Sequence, residues 1–201
     1  VDGRLRVADA AAAAAARGPE RPRFSGPPPF AWRPAPEFAR EFEVTGEAGE
    51  VVTKVRDFQE PDVAVPVAGT LQMFRGGCYS WALYLERLPP HRPQIHLGLH
   101  GAGHRRPRRL LASARCSRAR DDEPWQPRPG GDRGLEEGDC VRVEVDLRGL
   151  HEPFGKMSVA INGERAEIVF DDIPLARDAP PTSPVVLMGG DQTRVRLCAC
   201  Y

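Results

Sequence analysis

The sequence predicts an all-β fold, a bent sandwich of two antiparallel sheets, behind an irregular N-terminal arm. Three observations predict it. From residue 37 on, apolar and polar residues alternate in short runs, the period-two pattern of half-buried strands. These runs recur about every 10 to 20 residues with no helical period between them, the spacing of a sandwich or barrel. Gly, Pro and an Asn-Gly pair punctuate them, as reversals require. The roughly 160 residues involved suffice for a two-sheet core.

Residues 1–36 read as an arm rather than a domain. "ADAAAAAAARGPERP" favours helix up to Arg17 and stops at Gly18-Pro19, but it carries no apolar stripe. A helix that short is marginal alone. "RPRFSGPPPFAWRPAPEF" is proline-rich and expected to be extended, with Phe24, Phe30 and Trp32 lying against the neighbouring domain.

Residues 37–201 read as the sandwich. "EFAREFEVTG", "GEVVTKVRDF", "VAVPVAG" and "TLQMFRGG" are its first strand-like runs. "CYSWALYLERL" puts Tyr79, Trp81, Leu83 and Leu85 in one phase, with Ala82 and Tyr84 in the other. "QIHLGLHG" aligns Ile95, Leu97 and Leu99. "DCVRVEVDLRG" sets Val141, Val143, Val145 and Leu147 against Arg142, Glu144 and Asp146. "GKMSVAING" aligns Met157, Val159 and Ile161 and ends in Asn162-Gly163, the dipeptide of tight reversals. "RAEIVFDDI", "SPVVLMGG" and "TRVRLCACY" complete the series. Trp81 is expected in the core.

Acidic and basic residues balance at 28 each, so the global charge favours neither nucleic acid nor an anionic membrane as partner. No apolar run approaches the roughly 18 to 20 residues of a bilayer span. The chain opens at Val1 with no signal-like segment, which points to a processed product or a fragment and gives secretion no support. The five cysteines (Cys78, Cys116, Cys140, Cys198 and Cys200) include no C-x-x-C pair; they are expected as buried free thiols in a reducing compartment, the cytoplasm or nucleus.

No metal or other cofactor is expected. His96, His100 and His104 are spaced by four, but the run around them alternates as a strand. On a strand, positions 96 and 100 stand about 13 Å apart, too far for one ion. The basic run "GHRRPRRLLASARCSRARDDEP" meets Asp121, Asp122 and Glu123 at once and lacks the aromatics of single-strand binders, so it reads as a long solvated loop. No nucleophile elbow, H-E-x-x-H motif or marked carboxylate pair occurs, and no catalytic residue is expected.

The order of pieces from residue 76 on resembles the SPRY family of binding domains. "GGCYSWALYLERL" is similar to that family's G-x-x-Y-W-E-V strand, with Trp81 at the tryptophan and Ala82 in place of the acid. "IHLGLHG" is similar to its v-G-v strand. Gly138, Asp139, Val141, Asp146 and Leu147 match its G-D-x-V-x-x-x-x-D-L element. Asn162-Gly163, Phe170 and Asp172-Ile173-Pro174 match the strand pair that follows. The resemblance covers roughly residues 40–201 and implies a SPRY-like jelly roll with a binding role and no catalysis.

It also implies a partner peptide lying across loops at one rim. Where some members carry Val-Trp-Gly, this chain has Met188-Gly189-Gly190. Arg108, Arg109 and Trp125 are therefore the expected anchors, because recognition energy concentrates in Arg and aromatic residues. Met188 is expected as an adaptable contact beside Gly189 and Gly190. The loops 104–125 and 188–190 are expected at the same rim. The first functional reading is a protein-interaction module that binds another protein or peptide, as an adaptor or substrate receptor within a larger protein. The second is a structural subunit of a large assembly anchored by its Pro-rich arm. A carbohydrate-binding, lectin-like domain is the third, because lectins share the architecture.

Overall fold

The structure, a computed structural model, describes residues 27–55, 65–89, 94–101, 109–112, 119–120, 123–124, 135–149, 154–175 and 181–199. The strands are β1 (Trp32–Pro34), β2 (Phe42–Thr45), β3 (Val51–Lys54), β4 (Val65–Gly69), β5 (Cys78–Arg87), β6 (Gln94–Gly101) and β7 (Arg109–Ala112). They continue with β8 (Ala119–Arg120), β9 (Glu123–Pro124), β10 (Cys140–Asp146), β11 (Phe154–Ile161), β12 (Glu167–Pro174), β13 (Thr182–Gly189) and β14 (Arg194–Cys198). Among the described residues they form a five-stranded sheet, β1-β4-β13-β6-β7, a seven-stranded sheet, β12-β11-β10-β5-β14-β3-β2, and the ribbon β8-β9. Every pairing is antiparallel. The β-sandwich expected from the alternation is present.

Alternation decides which side chains fill the space between the sheets. Trp81, Leu83 and Leu85 of β5, Val141, Val143 and Val145 of β10, and Met157 and Val159 of β11 are all buried in one core. Val143 lies opposite both Trp81 and Val159, so three strands contribute to one layer. Val67, Ile95, Leu97, Val186 and Met188 complete the core from the five-stranded sheet. The opposite phase of β5 is not wasted: Ala82 and Tyr84 form a smaller buried cluster with Cys198, against which Cys140 packs.

The arm expected over residues 1–36 ends earlier than the sequence suggested. Trp32–Pro34 is a strand paired with β4, and Phe30 and Trp32 are buried. Phe30 stands edge-on to Trp32, with centroids 5.3 Å apart, and to Trp81, at 5.9 Å. Gly69 allows this approach: a Cβ there would meet the Phe30 ring at 2.5 Å. Prolines did not prevent a strand because β1 is an edge, where a missing N–H breaks no ladder. The boundary expected after residue 36 therefore falls inside the sandwich. Phe24 lies outside the described residues.

Other expectations needed local correction. "EFAREFEVTG" is not one strand; Pro36–Glu41 is a 3-10 helix, opened by Pro36, and the strand starts at Phe42. Glu41 and Lys54 form a buried ion pair at 2.9 Å, with the ammonium 5.7 Å from the centre of the Phe42 ring. "TLQMFRGG" contributes only an isolated bridge at Met73. The Asn162-Gly163 reversal forms as expected: both residues have positive φ, 51° and 79°, and Glu164 N donates to Ile161 O at 2.9 Å. The reversal opens a longer connection than a two-residue hairpin, because β12 begins at Glu167.

The long edge of the seven-stranded sheet is guarded. Six residues of β11, Phe154–Val159, run along eight of β12, Glu167–Pro174, so β12 carries the extra residues as bulges. Bulges and acidic residues such as Glu167 and Asp171 discourage edge-to-edge pairing.

Trp81 is 2 % exposed and touches the aromatic junction that joins the N-terminal strand to the core. Trp81→Ala is expected to cost about 3–5 kcal/mol in denaturant unfolding. A loss below about 1 kcal/mol contradicts this packing.

Candidate functional site

Strand register sorts the loops into two ends. β13 runs from Thr182, opposite Gly101, to Gly189, opposite Gln94. β7 enters at Arg109, opposite Leu99. Arg109 and Gly189 are thus five residues apart along β6, about 17 Å at the usual rise. Arg109 and Gly189, expected at one rim, therefore stand at opposite ends of β6. Sequence alternation contains no information on which distant strand becomes a neighbour, and here β13 inserts between β4 and β6.

Met188 also needs correction. It lies in β13, paired with Val65 and Ile95, and is fully buried. Its side chain is core, not an adaptable surface contact. Gly189 ends the same strand, and Gly190 follows against Pro89, with Thr193 Oγ1 donating to both carbonyls at 2.9 Å. Part of the expected 104–125 loop is strand, in β7, β8 and β9. Arg108 and Trp125 lie outside the described residues.

The end where Arg109 enters carries a feature that sequence reading missed. After β4 the chain crosses from one sheet to the other. Met73 and Thr182 exchange backbone hydrogen bonds at 2.7 and 3.1 Å, which ties the crossing to the five-stranded sheet. Gly76 N donates to Leu147 O, and Leu147 N to Gly77 O, each at 2.8 Å, which ties it to the seven-stranded sheet. The Tyr79 hydroxyl clamps the turn between, accepting from Phe74 N at 2.9 Å and donating to Phe74 O at 3.3 Å. On this fixed mount Phe74 is 56 % exposed.

The neighbouring strands supply the rest. Arg148 follows β10 and donates to Asp146 three times, from Nε at 2.9 Å, from Nη2 at 2.6 Å and from its backbone N at 3.0 Å. These bonds hold the Asp146 carboxyl down at about 2 and raise the guanidinium further. Phe154 starts β11 and is 45 % exposed. Gly155 beside it abuts Leu147 closely enough that a Cβ would meet the Asp146 carbonyl at 2.8 Å. The segments that carry Phe74 and Phe154 thus each contact Leu147, the residue before Arg148. The sequence signals were slight: a lone Phe before a Gly-Gly turn, and another before Gly155.

Cys78 is exposed, contrary to the expectation of buried thiols, whereas Cys198 is buried as expected; Cys116 and Cys200 lie outside the described residues. Desolvation, then the Glu144 and Asp146 carboxylates, push the Cys78 thiol up, which suppresses the nucleophilic thiolate. Among the described residues no group of three or more His, Cys, Asp or Glu is placed to hold a metal ion. His96 is half-buried on β6, and burial lowers its pKa, which favours the neutral ring. His104 lies outside the described residues. Two buried polar atoms, Trp32 Nε1 and Thr182 Oγ1, have no partner among the described residues; both belong to strands that begin at this end.

No protein-family model matches the chain, and no curated protein matches it. Solved structures do. The SPRY domain of human HERC1 superposes with a TM-score of 0.61 at 17% identity, covering 84% of this chain and 99% of that one. A human SPRY domain gives a TM-score of 0.54 at 11% identity, covering 84% of this chain and 96% of its own. Stonustoxin gives a TM-score of 0.56 at 13% identity over 84% of this chain and 26% of that chain.

A carbon-detected titration of the Asp146 carboxyl checks the site's electrostatics. It should titrate near 2 and return towards the ordinary 3.8 in Arg148→Ala. A depressed carboxyl contributes stability above its unfolded pKa and loses it as pH falls through about 2; at this exposed pair the contribution is small. An Asp146 titration unmoved by loss of Arg148 contradicts the pairing.

Proposed function

We propose that this SPRY-fold β-sandwich is a non-catalytic protein-interaction module, an adaptor or substrate receptor within a larger protein, working inside the cell in the cytoplasm or nucleus. The supporting observation is the end of the sandwich where Phe74, Arg148 and Phe154 project from hydrogen-bonded mounts beside the start of β7. Arg and aromatic groups are the usual anchors of binding energy, and rigid mounts lower the cost of ordering them. Arg108 and Arg109 belong to the same proposal through the entry of β7 at this end, with Trp125 as a further anchor. Gly189 and Gly190 lie at the other end and form no part of it. No described helix is long and apolar enough to cross a membrane.

The reading as an assembly subunit anchored by its Pro-rich arm is narrowed by the burial of Phe30 and Trp32. These aromatics serve the chain's own core, which leaves residues 1–26 as the segment available for threading into neighbours. A truncation must therefore stop at residue 26, because removing residues 1–36 deletes β1.

The test compares three proteins by quantitative pull-down, affinity and thermal midpoint: the intact chain, the double variant Arg108→Ala/Arg109→Ala, and the chain lacking residues 1–26. The proposal expects the double variant to keep its midpoint and weaken binding, by about 2 kcal/mol per central Arg contact. If the arginines only steer approach, the loss appears in the on-rate and fades with salt. Unchanged affinity in the double variant, with binding abolished by the truncation, overturns the rim and makes the arm the working part.

A further inference from the structure

We propose that Phe74, Arg148 and Phe154 form a docking surface for an extended peptide of another protein in which a carboxylate lies beside an apolar side chain. The proposal rests on the interaction-module reading above and names the partner chemistry of that end.

The apolar component of the surface is two exposed rings on segments that both contact Leu147. Among the described residues the exposed large hydrophobics are Phe74, Phe154 and Ile168. Single exposed apolar residues are ordinary. Ile168 is of that kind, opposite Ser158 and away from the Phe74 turn. Phe74 and Phe154 differ, because the Phe74 turn is bonded to Leu147 and the start of β11 packs against the same residue. The Tyr79 hydroxyl fixes the Phe74 backbone from both sides, so the ring is presented with little ordering left to lose.

The polar half is an arginine braced for use. Asp146 takes Nε and Nη2 of Arg148 and fixes the plane of the guanidinium. Nη1 retains donors that have no acceptor among the described residues, and the side chain is 49% exposed. Nearby acids are already engaged: Asp146 on Arg148, and Glu144 on Arg142 at 3.8 Å. Arg75, one residue after Phe74, is exposed. The surface thus offers two aromatic faces and cationic donors. A peptide carboxylate is the strongest acceptor for such a fork, and an apolar neighbour on the same peptide covers a ring.

The experiment selects a displayed library of random peptides on the purified full chain, then measures a labelled synthetic copy of the most enriched sequence by fluorescence anisotropy. The expected peptides carry Asp or Glu within about two residues of Phe, Leu, Ile or Trp. Phe74→Ala and Phe154→Ala should each weaken the peptide about tenfold or more, the magnitude of an interface anchor. Arg148→Lys keeps the charge, loses the fork, and should weaken it as well. All three side chains are exposed, so thermal midpoints should hold. Replacing the peptide's acid with Lys should abolish binding. Enriched peptides whose affinity ignores all three variants overturn this surface and leave the module reading standing. Enrichment of basic peptides overturns the proposed chemistry. A library that enriches no sequence counts against both.

Discussion

A buried carboxylate fixes the register on which the rest of the sandwich depends. Asp139, 2 % exposed, accepts from Asn162 Nδ2 at 2.7 Å and from Glu136 N at 2.8 Å. Its carbonyl accepts from Leu85 N at 2.9 Å. Asn162 answers through Oδ1, which accepts from Cys140 N, and through its own N–H, which donates to Cys140 O, each at 2.8 Å. One polar knot therefore joins the end of β5, the start of β10 and the end of β11. A one-residue slip of β10 would turn Val141, Val143 and Val145 outward, so the knot and the hydrophobic pattern enforce the same register. A satisfied buried network of this kind is worth more than its separate bonds, and a broken one costs the desolvation of what remains.

The knot lies at the opposite end of the seven-stranded sheet from Phe74. Cys140 and Ile161 are at its end of β10 and β11; Asp146 and Phe154 are at the other. Between them run the Trp81 layer and the aromatic junction with Phe30 and Trp32. This arrangement separates two jobs. One end holds register through buried polar bonds, while the other presents exposed aromatic and guanidinium groups. The crossing from Gly69 to Cys78 links the second job to the first, because its hydrogen bonds reach both sheets and hold the Phe74 turn only as firmly as the sheets hold each other.

The strands with strict alternation were legible in the sequence. Those of β5, β6, β10 and β11 follow from period two, and Asn162-Gly163 declares its turn because few residues accept positive φ. Position 139 was legible only through family resemblance, since an isolated Gly-Asp also reads as an ordinary turn. The sequence hid β1 because proline density signals an extended arm, while the burial of Phe30 and Trp32 is a tertiary outcome. The misreading of Met188 was avoidable: Val186 and Met188 continue one phase of alternation into the core. The placement of Arg109 and Gly189 at different ends was not avoidable, because it depends on β13 pairing with β4 and β6 across long separations. Phe74 and Phe154 were hidden for the same reason, since neither sits in a motif and only the fold brings both segments to Leu147.

A double-mutant cycle between Asp139 and Asn162, read by denaturant unfolding, tests the claim that this contact holds the sandwich in register. Asp139→Ala, Asn162→Ala and the double variant should each unfold cooperatively. The two single losses should exceed the double loss when summed, with a coupling of about 1–3 kcal/mol. Additive losses, with a coupling within about 0.3 kcal/mol of zero, would show that the two side chains act independently and contradict the account.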